Sequence, residues 1–277
     1  MVTAYANLLA RTTRYLESPG FAGEELLKGI RTLVLIHAFP MSADMWLPQL
    51  ARVPLGWRFI APDLRGFRGM GLAYEDAQLS NASVDDYAGD ILELMDHLDL
   101  KRAAIAGLSM GGYVAMALAA RAPQRVSHLI LADTRMTADT EAQRAGRDAM
   151  RAMVEREGPA SVATQMLPKL LGASTQRDQP DLSGAVRMLI ESNRTEAVAG
   201  AIGALKNRPD RTAALGAVQV PTLVICGDED VLTPPADSEA MAATVPGAQL
   251  VMIPNAGHLS NLEQPNAFNE ALRLFLK

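Results

Sequence analysis

Short, largely apolar runs alternate along this chain with longer stretches in which apolar residues recur every three or four positions. The runs "TLVLIHA" (32–38), "WRFIAP" (57–62), "RAAIAG" (102–107), "VSHLILAD" (126–133), "PTLVICG" (221–227) and "AQLVMIP" (248–254) read as strands. Their apolar residues are continuous rather than alternating, as in parallel strands covered on both faces. The stretch "SVDDYAGDILELMDHLDL" places Tyr87, Ile91, Leu94, Met95 and Leu98 on one face and Asp90, Glu93 and His97 on the other. That predicts a helix with its charged face in water. "NAFNEALRLFLK" repeats the pattern after Pro265, a residue suited to a first helical turn. Strand–helix alternation of this kind predicts an α/β fold, a mostly parallel central sheet flanked by helices. No opening pair of strands is legible in residues 1 to 30.

The rhythm changes after the fourth of these strands. From 136 to 215 helical patterns follow one another ("EAQRAGRDAMRAMVEREG", "SVATQMLPKLL", "GAVRMLIESN", "TEAVAGAIGALKNRPD") with no strand between them, and alternation resumes at Val220. The expected organisation is a core domain made of residues 1–135 and 216–277, with an all-helical cap, 136–215, inserted between core strands.

Composition narrows the function. The chain has 277 residues, a net charge of −5 and one cysteine, Cys226. It therefore offers no basic face for nucleic acid or anionic lipid and no disulfide or multi-thiolate metal framework. No apolar window approaches the roughly 18 residues of a membrane span, and the first residues do not resemble a signal peptide. A cytoplasmic protein is expected, acting on a small molecule. The negative charge argues against a strongly anionic substrate unless arginines of the cap act locally.

The chemistry centres on "GLSMG", a G-x-S-x-G pattern lying where a strand gives way to the apolar helix "MGGYVAMALAARA". A sharp strand-to-helix turn requires glycines for steric reasons and holds the intervening serine, Ser109, out for attack. The helix N-terminus aims backbone N–H groups at developing negative charge. A nucleophilic serine needs a base, and there are four histidines. His97 sits on a polar helix face. His128 lies near the start of its strand, the wrong edge of a parallel sheet. His37 ends a strand at the right edge but precedes the serine and opens a loop with another duty. His258, in "IPNAGHLSNLEQP", follows a strand directly and is the expected base. The orienting acid should fall between serine and histidine. Asp230 is preferred to Asp228, which suits the turn beside Gly227, and to Asp133, which ends another strand. The oxyanion is expected to meet the backbone N–H of Met110 and one from the "HAFPMSADMW" loop. Pro40 has no N–H, which leaves Ala38 or Phe39, with Phe39 preferred.

On these motifs the chain is identified as a member of the α/β-hydrolase family. The landmarks are "LIHAFP", Asp44 with Trp46, "APDLRGF", "DDYAGDI", "GLSMGG", "LADTR", "GDEDVLTPP" and "AGHLSNLEQP", covering about Arg31 to the C-terminus. Within the family it is most similar to enol-lactonases of the 3-oxoadipate type and small carboxylesterases. The resemblance implies Ser109 as nucleophile, Asp230 as acid, His258 as base and an oxyanion donor at Phe39. It departs from many members at Ala38, where they carry glycine. The implied function is a serine hydrolase cleaving an ester or lactone without cofactor or metal. Hydrolysis of a C–C bond, perhydrolysis, or a non-catalytic small-molecule receptor are the alternatives. "DLRGFRGMG" is not a phosphate loop and is expected to be a structural loop held by Asp63 and Arg65. Met136, Met150, Met153, Met166 and Met188 are candidates for lining an acyl pocket or packing between helices. Trp46 is expected to border the site through the oxyanion loop, and Trp57 to pack as it enters its strand.

Overall fold

This computed structural model describes residues 2–8, 11–19, 29–69, 79 and 81–277. Eight strands form one sheet: β1 (Val2–Leu8), β2 (Arg11–Glu17), β3 (Arg31–Ile36), β4 (Trp57–Pro62), β5 (Ala103–Leu108), β6 (Val126–Ala132), β7 (Thr222–Gly227) and β8 (Gln249–Ile253). Their spatial order is β1-β2-β4-β3-β5-β6-β7-β8, with β1 and β2 antiparallel and all pairs from β4 to β8 parallel. Because those strands run the same way, the loops after β3, β5, β6, β7 and β8 gather on one edge of the sheet, where α/β sheets carry their reactive groups.

The expected strands appear within a residue or two of their predicted limits, and β4, β5 and β7 are buried throughout, as their unbroken apolar runs require. Edge strand β8 departs from that pattern, with Leu250 and Met252 more than a third exposed. The larger correction is at the N-terminus, where β1 and β2 form the hairpin that residues 1 to 30 did not reveal. This pair hides little, chiefly Ala6, Leu8, Tyr15 and Leu16, so its sequence lacks a continuous apolar run. Arg58 binds Glu17 at 2.6 Å, tying β4 to β2 by charge.

One helix packs on β5, the strand that leads to Ser109, and a second packs on that helix and on β1. Helix α1 (Val84–His97) starts at a capping box in which Ser83 and Asp86 satisfy each other's backbone. It buries Tyr87, Ile91, Leu94 and Met95 as expected. Asp90, assigned from the sequence to the solvent face, is buried instead. Arg65 takes both its oxygens, at 2.7 and 2.6 Å, a bidentate pair that replaces water around the carboxylate. Helix α2 (Met110–Arg121) buries every residue from Met110 to Ala119.

Between β6 and β7 the described chain is helical throughout, with α3 (Glu141–Glu157), α4 (Pro159–Leu170), α5 (Ala173–Asp178), α6 (Pro180–Glu191), α7 (Thr195–Asn207) and a short turn of helix at Thr212–Gly216. Burial is uneven among these elements: α3 buries fully only Val154, whereas α7 buries eight of its 13 residues. Helix α8 (Pro235–Thr244) follows β7, and α9 (Pro265–Phe275) closes the chain. No helix among the described residues is long and apolar enough to cross a membrane.

Candidate active site

At the end of β5 the chain must reverse within one residue to begin α2. Ser109 makes that turn at φ 54°, ψ −111°, a region that disfavours any L side chain. Its surroundings are too tight for larger neighbours. A Cβ on Gly107 would stand 2.0 Å from the Gly111 carbonyl oxygen, and one on Gly111 2.1 Å from that of Ile36. The spacing of G-x-S-x-G is thus a packing requirement between β5, α2 and β3. The Ser109 carbonyl accepts from Gly112 N–H at 2.9 Å and Thr134 Oγ1 at 2.8 Å, which fix the bend.

Three side chains drawn from the loops after β5, β7 and β8 form one hydrogen-bonded line. Ser109 Oγ lies 2.8 Å from His258 Nε2, and His258 Nδ1 lies 2.8 Å from Asp230 Oδ2. The Asp230 carboxylate is further held by Thr233 Oγ1 at 2.6 Å and by the N–H groups of Leu232 and Thr233 at 2.8 and 3.0 Å. Burial opposes the charged form of both groups, but their mutual attraction prevails. The imidazole's affinity for a proton is raised by Asp230, and the carboxyl is held below its usual range by His258 and Thr233. The tautomer compatible with this line carries its proton on Nδ1, leaving Nε2 free to accept from the serine.

The rivals weighed from the sequence are elsewhere engaged. Asp133, fully buried, accepts from Gly227 N–H at 2.8 Å and from Ser260 Oγ rather than bonding His258. Burial and the nearby Asp230 push its carboxyl well above the ordinary range. Asp228 is exposed. His37 is fully buried and its affinity for a proton falls to about 4, chiefly through desolvation. Its Nε2 accepts from Leu64 N–H at 3.0 Å and its Nδ1 donates to the Ala38 carbonyl at 2.9 Å, so this neutral ring clips the loop after β3 to the loop after β4. His128 packs edge-on against Trp57 and Phe275, and Trp57 Nε1 donates to the Leu276 carbonyl. His97 is exposed.

The loops that carry the remaining candidates are braced by charge. Asp63 accepts from Ala43 N–H and Arg14, both at 2.7 Å, and Arg14 also holds Asp44 at 2.6 Å. Together with the Arg65–Asp90 pair, this is the structural loop expected of "DLRGFRGMG", whose last two residues lie outside the described ones. Met110 is the first residue of α2, where a backbone N–H has no intrahelical acceptor. Phe39 lines the cavity in front of Ser109. Trp46 does not border that cavity. It is fully buried against Phe268, because the helical turn Ala43–Trp46 directs it into the core. Buried Asp133, Cys226 and Asp230 cluster within 4.8 Å. Both carboxylates are occupied by the donors above, and burial pushes the Cys226 thiol up so that it keeps its proton. These are poor terms for a metal ion, because a cysteine ligates as its thiolate.

The cavity is about 290 Å³ and is lined by Ser109 and His258 together with residues of the helical segment, among them Met150 and Met166. Met188, by contrast, is exposed. The helical segment meets the histidine's loop at a seam. His258 N–H donates to the Leu170 carbonyl at 3.1 Å, and Glu263 accepts from Gly172 N–H at 2.7 Å and Leu259 N–H at 3.0 Å. Glu229 accepts from Ser174. The backbones approach so closely that a Cβ on Gly257 would stand 2.3 Å from the Gly172 nitrogen. Nothing in the spacing of these residues announced the seam.

A parallel sheet with a serine elbow after its central strand, a histidine after its last and an acid between them defines an α/β hydrolase. A family model for the alpha/beta hydrolase fold matches residues 31–265, and the chain belongs to that family. It is similar over its whole length to a thermophilic esterase from Thermogutta terrifontis, with 35% identity, a TM-score of 0.89 and 98% of that chain covered. It is 26% identical to 3-oxoadipate enol-lactonase 2 of Acinetobacter baylyi over 88% of either protein. A putative carbamate hydrolase RutD of Variovorax paradoxus is 30% identical, covering 85% of this chain and 87% of the relative.

Proposed function

We propose that this chain is a serine hydrolase that cleaves carboxylic esters or lactones through an acyl-enzyme. Ser109 Oγ attacks the carbonyl carbon while His258 Nε2 takes its proton. Asp230 holds the ring in the productive tautomer and stabilises the imidazolium. The N–H groups of Met110 and Phe39 receive the oxyanion of the tetrahedral intermediate. Collapse of that intermediate expels the alcohol oxygen, which takes the proton from His258. Water, deprotonated by the same histidine, then attacks the acyl carbon and releases the acid and free Ser109. In a lactone the expelled oxygen remains tethered, so the product is one hydroxy acid. No cofactor or metal enters these steps. Residues 136–215 act as the cap that closes over the acyl group.

The observation that carries this reading is the unbroken line from Asp230 through His258 to Ser109, both links 2.8 Å, opening on a cavity large enough for a small substrate. The similarity to an esterase and an enol-lactonase supports the choice of ester or lactone. The test is a panel of aryl esters, lactones and carbamates assayed with wild type and Ser109→Ala, with labelling by a serine-directed phosphonate. Turnover lost in the variant, with labelling confined to Ser109, is the expected result. Saturable binding with no turnover and no labelling would mean a receptor that only holds its ligand.

A further inference from the structure

A cleft of about 440 Å³ opens at the amino edge of the sheet, the edge opposite Ser109, where the cavity is about 290 Å³. Helix α2 runs between the two, with Ser109 just before its first turn and Ala119 and Ala120 in its last. At a rise of about 1.5 Å per residue, Ala120 lies about 16 Å along the helix from Ser109, so a molecule in the cleft touches none of the triad.

The walls are the end of α2, the start of β6 and the stretch Ala214–Val220 that leads from the short helical turn into β7. Alanines explain the empty space. Ala119 and Ala120 on one side face Ala214 and Ala217 on the other, and no long side chain projects between the two helical elements. The backbone carrying them is helical on both sides and does not close the gap. At about 30 Å³ per water the cleft holds roughly fifteen, and walls of alanine, valine and proline give those waters few partners. An apolar chain displaces such water favourably. The volume is also that of a small-molecule pocket, which runs from about 300 to 1,000 Å³.

One charged side chain lines the cleft. Arg102, the residue before β5, donates through Nε to the Val126 carbonyl at 3.0 Å, and this pins its guanidinium at the cleft. Its two Nη groups have no acceptor among the described residues. No carboxylate lines the cleft, and the acids nearest in sequence are engaged, Asp96 by Arg125 at 2.6 Å and Asp99 by Lys101 at 2.7 Å. Gln219, the other polar side chain of the lining, turns its amide nitrogen to the Ala217 carbonyl. The result is an apolar trough with one fixed, uncommitted cation, and a guanidinium fork matches a carboxylate in shape and charge.

We infer that this cleft binds a free medium-chain carboxylic acid, its alkyl chain against the alanines and valines and its carboxylate on the Nη groups of Arg102. The site is separate from the line through Ser109 and does not rest on the hydrolase reading.

The test is calorimetric titration with hexanoate, octanoate and octan-1-ol, all as monomers, into wild type, Arg102→Met and Ala120→Trp. Wild type should bind octanoate at one site, about tenfold more tightly than hexanoate. Arg102→Met should weaken octanoate about fivefold and leave octanol within about twofold. Ala120→Trp, which fills the cleft from an exposed position on α2, should remove both ligands while thermal unfolding shows the fold intact. Octanoate binding that neither substitution moves lies elsewhere, the cavity in front of Ser109 included, and overturns the inference. So does the absence of saturable octanoate binding. Loss of both ligands in Ala120→Trp with no effect of Arg102→Met leaves an apolar cleft without its acid and overturns the inference as well.

Discussion

The carboxyl edge of the sheet and the helical segment above it face the same cavity but are built on opposite terms. At the sheet edge, Ser109 sits in a forbidding backbone conformation between glycines that touch neighbouring carbonyls, and α2 behind it is buried almost end to end. In the helical segment, α7 is mostly buried but α3 buries fully a single residue, and its charged pairs Lys206–Asp148 and Arg151–Glu155 are partly exposed. One region tolerates almost no substitution because its geometry is the chemistry. The other can change its exposed surface while keeping its helices, which suits the cap role proposed for it.

The contrast is sharpest at Ser109, the proposed nucleophile. Ser109→Ala should lower kcat by about a million-fold, leaving what oxyanion stabilisation and binding alone provide. Initial rates on the responsive ester, with titration of active sites, measure this. Next comes the proposed acid, where Asp230→Asn should cost about 10⁴-fold by favouring the wrong imidazole tautomer. The same substitution should move the pH profile. His258 must be neutral to act as base, so kcat/KM falls as pH drops through its proton affinity, which Asp230 raises above the ordinary 6.5. The acid limb of wild type should therefore lie above that value and shift to lower pH in the residual activity of the variant.

At the elbow the prediction concerns stability. Gly111→Ala places a methyl 2.1 Å from a backbone oxygen that cannot withdraw, and should cost more than about 4 kcal/mol, read by thermal or denaturant unfolding. The smallest expected effect is Asp133→Asn. Its carboxylate is fully buried near the same histidine, yet it accepts from Gly227 and Ser260 instead, so activity should stay within about tenfold of wild type. A loss as large as that of Asp230→Asn would show that the two acids share the work and would erase the distinction between the strand ends.

Legibility in the sequence follows the same division. The G-x-S-x-G pattern could be read because its glycines answer a local steric demand, one that any strand turning straight into a helix must meet. The side chains that line up with Ser109 are legible too, His258 as the histidine that follows a strand at the correct edge and Asp230 as the acid one step beyond the turn made at Gly227. The β1–β2 hairpin escaped notice because an edge pair with few buried side chains has no continuous apolar run to display. Helical periodicity puts Asp90 on the outer face because it carries no sign of an arginine reaching over from the loop after β4. Trp46 was drawn to the site by its neighbours in sequence, whereas a turn of helix sends it inward.

The meeting of Gly172 with Gly257 has an evolutionary corollary. Where these helices rest directly on the backbone that presents His258, neither partner can be exchanged by itself. A segment grafted from a relative would press a side chain into the loop of His258 unless it brought a glycine at the place of Gly172 and the donors that Glu263 and Glu229 accept from. Diversification of this scaffold is therefore free along the outer faces of α3 and α6 but tethered at one seam, and new selectivity should arise by repainting the lid rather than replacing it.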